Sequence, residues 1–134
     1  MTEVAIQTAI YSALSGASAV TDLCPNIYDF GPNVEDAATI FPYIAMGAID
    51  LAQFDTDTST GFDGVIRIHT WTNTGGALAT RAIQSAMYAT LHRQALTVTG
   101  MNAITIERTA SDVLQASSGA FHGICDYRGL FDSD

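Results

Sequence analysis

The chain has 134 residues and a formal charge of −9, from 14 acidic residues against five arginines, with no lysine. So acidic a surface repels phosphate backbones and anionic membranes, and the missing lysine removes Schiff-base chemistry and the phosphate-loop lysine together. Apolar residues make up 48% of the chain, yet no run approaches the ~20 needed to span a bilayer, so the sequence reads as one domain over residues 1–134 with enough core to fold without metal or disulfide staples.

Met1, Thr2 and Glu3 are not the basic start of a secretion signal. Cys24 and Cys125 are therefore expected as reduced, buried, inert thiols. Val4, Ile6, Ile10, Ala13 and Leu14 recur at near-helical spacing, with Thr2 as a cap, Glu3 in the first turn and Gly16 as the stop. Residues 17–23 add a short helical turn before Cys24 and Pro25. Residues 27–30 predict a short strand closed by Gly31 and Pro32, and 33–40 a polar surface loop. Phe41 and Pro42 open an apolar run, 43–51, that predicts a well-buried strand. Residues 53–61 hold Asp55 and Asp57 among three threonines and a serine, a composition that suits a mobile connection rather than a core.

Residues 65–71 are the clearest strand, with Ile66 and Ile68 on one side and Val65, Arg67, His69 and Trp71 on the other. A turn at 73–76 leads into the strongest helix, 77–92, whose expected stripe is Ile83, Ala86, Met87 and Leu91, with Leu78 one turn earlier. Residues 97–100 are strand-like or turn-like. Residues 103–108 alternate, with Ile104 and Ile106 inward; 116–119 form a small-residue turn; and 121–131 are the last strand, with Phe121, Cys125 and Tyr127 on one face. The order helix, strands, helix, strands gives an α+β fold: one mixed, mostly antiparallel sheet with two main helices on one face. Ile83, Met87 and Leu91 are expected against Ile66, Ile68, Ile104 and Ile106.

No chemistry-bearing motif emerges. His69, His92 and His122 share no ligand spacing, and a cationic His92 suits a helix C-terminus. The stretch around Asp55 and Asp57 faintly resembles a calcium loop but lacks the central glycine and terminal glutamate. Gly75 and Gly76 precede a helix without a glycine-rich phosphate signature, with Arg81 the cation nearby. No serine lies in Gly-x-Ser-x-Gly. The residues thus point to an assembly part rather than an enzyme, without cofactor or metal.

The ordered segments resemble the small tail-completion, or tail-terminator, family of long-tailed phages and gene-transfer particles. The resemblance is carried by the opening helix at 4–14; Ile27, Tyr28 and Asp29; Phe41-Pro42-Tyr43-Ile44; the run 62–71; the helix 77–92 leading into 96–100; and Phe121-His122-Gly123-Ile124. It implies a non-catalytic virion protein at the tail–neck junction, assembled in the host cytoplasm. That protein forms a ring, commonly a hexamer, which caps the finished tail tube and offers a surface to the head-side connector while DNA passes through unbound. The alternatives are another neck component, such as a head-completion or adaptor protein, and a small metal-binding or hydrolytic domain. Within this reading the segment bearing Gln53, Phe54, Asp55, Asp57 and Gly61 is the candidate assembly-contact loop.

Overall fold

The computed structural model describes residues 2–28, 41–55, 57–58, 60–116 and 119–132. Helix α1 (Thr2–Ser15) buries Ile6, Ala9, Ile10 and Leu14, one stripe of its surface. Thr2 lies inside this helix rather than capping it, and Val4, expected in the stripe, is 56% exposed. The helix closes where the Gly16 N–H donates to the Ser12 carbonyl (3.0 Å). One further turn, α2 (Ser18–Thr21), buries Val20.

Strands β1 (Asn26–Tyr28), β2 (Tyr43–Gln53) and β3 (Gly61–Thr72) come next, followed by α3 (Gly76–Leu91). Strands β4 (Thr97–Val98), β5 (Met101–Gln115) and β6 (Phe121–Asp132) end the described chain. Among the described residues the sheet has six strands, ordered β1-β2-β3-β6-β5-β4. Only the β1–β2 pair is parallel, so the sheet is mixed and mostly antiparallel. At its centre β3 and β6 pair without a shift from Gly61 opposite Asp132 to Thr72 opposite Phe121. Both long helices lie on the face that carries Ile66, Ile68, Ile106, Cys125, Tyr127 and Phe131.

Ile83, Met87 and Leu91 are buried in that core with Ile66, Ile68 and Ile106, as the periodicity requires. The side chain of Ile104 lies outside the described residues, as does the loop expected at 33–40. Leu78 is 78% exposed and does not belong to the stripe. The inward positions of α3's first turns are Thr80 and Gln84, both buried and both satisfied. The Thr80 and Thr72 hydroxyls meet at 2.8 Å, and the Gln84 amide donates to the Asp112 carbonyl at 3.0 Å. Gly123 makes room for them: a Cβ there would stand 2.5 Å from Gln84 Nε2 and 2.7 Å from Thr80 Cγ2.

Three strands differ from their sequence reading, β3 because it begins at Gly61, four residues before the expected 65–71. Strand β2 is buried only over Tyr43, Ile44, Ala45 and Met46; beyond the register shift between Met46 and Ile49 it alternates between half-buried and exposed. Strand β5 is far longer than 103–108, with a polar, exposed second half. Its outer edge is tied to the end of α3, where Arg93 N–H donates to the Ile106 carbonyl (2.7 Å) and His92 Nδ1 accepts the Arg108 N–H (3.0 Å). His92 Nδ1 thus serves as a hydrogen-bond acceptor that joins the helix end to β5.

Candidate assembly surface

With both long helices on one side, β-strand alternation sends every second side chain of β2, β3 and β6 to the opposite face. There Tyr43 sits opposite Trp71, and Trp71 opposite His122. The result is a continuous aromatic row. Tyr43 touches Tyr28 (5.9 Å between centroids), Phe41 (5.3 Å) and Trp71 (6.4 Å). Trp71 stacks on His122 at 3.9 Å and 9°. His122 in turn meets His69, with His69 Nδ1 2.7 Å from His122 Nε2.

That contact needs one nitrogen to donate and the other to accept, so the pair holds only if at least one ring is neutral. Burial, and then the nearby Arg67, hold the His69 pKa below its ordinary 6.5, against the opposing pull of Asp126. Burial, and then His69, lower that of His122. A lowered native pKa means the unfolded chain binds more protons between the native value and 6.5, so stability falls as pH drops through that window. Urea unfolding is expected to show less stability at about pH 5.5 than at about pH 7.5. The paired His69→Gln, His122→Gln variant should flatten that difference; a variant with the wild-type pH dependence would remove the histidines as its cause.

The same face carries two ion pairs. Arg67 Nε donates to Asp126 (2.8 Å), directly across from it, and Arg128 donates through two nitrogens to Asp63 (2.9 and 2.7 Å). Hydrogen bonding from these guanidiniums holds both carboxyls below their ordinary range. The pairs are exposed, so they set the charge pattern of the surface more than its stability.

The candidate contact loop lies at one end of this sheet. Gln53 ends β2 and Gly61 begins β3, so both belong to strands rather than to a connection. Phe54 N–H donates to the Gly61 carbonyl at 2.9 Å, extending the ladder. The Phe54 ring folds over Gly61, where a Cβ would be 2.6 Å from it. Asp55 accepts from Gln53 Nε2 (3.3 Å) and from the Gly61 N–H (3.3 Å), which engages it in the turn. Phe54, Asp55 and Asp57 are exposed.

A third feature is a groove of ≈ 590 Å³ between α3 and β5, lined by Arg81, Gln84, Tyr88, Arg108, Asp112 and Val113 among others. The Arg108 guanidinium stands 4.3 Å over the Tyr88 ring, which stacks on His92 at 4.3 Å. The sequence does not signal this groove, because its two walls come from elements that read as independent.

Among the described residues no three His, Cys, Asp or Glu side chains converge, and no helix is long and apolar enough to cross a membrane. Cys24 and Cys125 are free and buried, and burial pushes both thiols up to about 11, away from thiolate reactivity.

A family model described as "Tail completion protein gp17" matches residues 8–132. The chain belongs to the gp17 tail completion family. Two solved structures share its fold. One is a chain in the virion of a native gene transfer agent particle, with a TM-score of 0.87 and 18% identity over 98% of each chain. The other is the gp17 protein of bacteriophage SPP1, with a TM-score of 0.59 and 23% identity over 94% of this chain and 88% of that one. No curated protein matches the sequence. Membership in the gp17 family makes this a structural phage-tail protein. The aromatic row, the hairpin tip and the groove are the described surfaces with distinctive chemistry.

Proposed function

We propose that this tail completion protein closes into a ring, a hexamer, on the finished tail tube and joins it to the head-side connector. The observation that carries the reading is the family match over residues 8–132, strengthened by the near full-length likeness to a chain of an assembled virion. The partners are other copies of this chain, the tube protein and the connector protein, and the place of action is the tail–neck junction of the virion after assembly in the host cytoplasm. A charge of −9 supports a lumen that lets DNA pass, since like charges disfavour binding. Closed rings also need two different patches on each copy, which an asymmetric sheet domain supplies.

Particles made without this chain test the proposal. Tails are expected to vary in length and to remain unjoined to heads; tails of uniform length joined to heads would overturn it. A second expected result concerns the β2–β3 hairpin. Cutting residues 55–60 to a two-residue Asn-Gly turn should leave the domain folded, because Gln53 pairs with Phe62 and the Phe54 N–H already bonds the Gly61 carbonyl. Circular dichroism should match the full chain while head joining is lost. Normal joining by this variant would make the loop a tolerated surface feature.

A further inference from the structure

The ring reading leaves open what holds one copy to the next, and the arginines give an answer that rests on that reading. Three of the five are engaged within the chain: Arg67 with Asp126, Arg93 with Glu107, and Arg128 with Asp63. The other two, Arg81 and Arg108, have no carboxylate ion-pair partner among the described residues, and both line the α3–β5 groove. The one carboxylate there, Asp112, turns an oxygen back onto the Val113 N–H (2.8 Å). Tyr88, 37% exposed, adds an aromatic wall. On a chain of charge −9, this groove gathers two guanidiniums that no carboxylate neutralises among the described residues.

The β2–β3 hairpin tip has the complementary character, with exposed Asp55 and Asp57 beside Phe54, which is 41% exposed. The two features do not meet within one copy. Gly61, at the hairpin base, pairs with Asp132, whereas Arg108 pairs with Tyr127, several residues farther along β6 at about 3.3 Å each. The groove also lies on the helix side, beyond β6. We infer that the hairpin tip of one copy docks in the α3–β5 groove of the next, Asp57 facing Arg81 and Phe54 meeting the edge of the Tyr88 ring, whose faces Arg108 and His92 cover. One tip and one groove per copy make a head-to-tail contact, the kind that repeats around a ring. Two acidic chains repel each other overall, so contact at the cationic groove also selects this register over others.

The test uses Thr58→Cys and Ser85→Cys, which place a thiol at the tip and at the groove and leave every charge in place. Cys24 and Cys125, both 0% exposed, do not compete. Assembled particles are treated with a short bismaleimide and run on denaturing gels. The double variant is expected to give a ladder of covalent multimers ending at the copy number of the ring, and each single variant only monomer. Rings visible on tails by electron microscopy with no ladder would overturn this docking and leave the ring reading standing. No ring and no ladder would overturn both. Charge exchange provides the second readout. Arg81→Glu or Asp57→Arg alone should lower the yield of head-joined tails by roughly 10-fold, and the two together should restore it. A double variant no better than the worse single one would also overturn the docking.

Discussion

Replacing Phe131 with alanine is expected to destabilise the protein by about 3–5 kcal/mol, among the largest effects of any single truncation. Phe131 is 0% exposed, in the last strand, opposite Phe62 on β3 and Ala103 on β5. Its ring lies back over Gly129, where any Cβ would stand 2.5 Å from Cε2 and Cζ. The glycine thus leaves the space that the ring fills. Once the ring is gone, no side chain at 129 is there to close the void, and the ladders on both sides of β6 hold the backbone in place. Transfer and cavity terms therefore both apply in full. Urea denaturation should show a lower midpoint with an unchanged slope, and the melting temperature should fall on the order of 10 °C. A loss below about 1 kcal/mol would mean that the site relaxes freely.

Leu91→Ala is expected to cost about 2–5 kcal/mol, towards the upper end. Leu91 is 1% exposed and is the last residue of α3. The two residues after it are pinned to β5, His92 through the Arg108 N–H and Arg93 through the Ile106 carbonyl. That end of the helix cannot settle into the space a smaller residue leaves. Leu78 is the control on the same helix. At 78% exposed, its change to alanine should stay within about 0.5 kcal/mol. Equal losses at both positions would mean that the helix sits in a different rotational phase.

Leu78 also shows where the sequence stopped being informative. The α3 stripe was legible from Ile83 onward because apolar residues mark it. Its first turns point Thr80 and Gln84 inward, and hydrophobic periodicity does not register buried polar residues whose partners, Thr72 and Asp112, lie on other elements. Strand β3 was legible over 65–71, since Ile66 and Ile68 alternate with Arg67 and His69 on a sheet covered on one face, but not over 61–64, where Gly61, Asp63 and Gly64 carry no apolar alternation. The second half of β5 was not, because an exposed edge strand with Glu107, Thr109, Ser111 and Asp112 carries no apolar period. Among the surface features, the acidic hairpin tip showed in composition alone. The contact of His69 with His122 did not: it depends on β3 pairing with β6, which joins residues 53 apart. The groove was hidden for the same reason. Arg81 and Arg108 become neighbours only when α3 crosses the sheet beside β5.

The most direct measurement is a cryo-electron microscopy reconstruction of complete particles, focused on the junction between tail and head. A closed ring of this α+β domain is expected on the head-proximal end of the tail tube, with the connector resting on its other side. A junction in which tube and connector meet with no copy of this domain between them would contradict the proposed function.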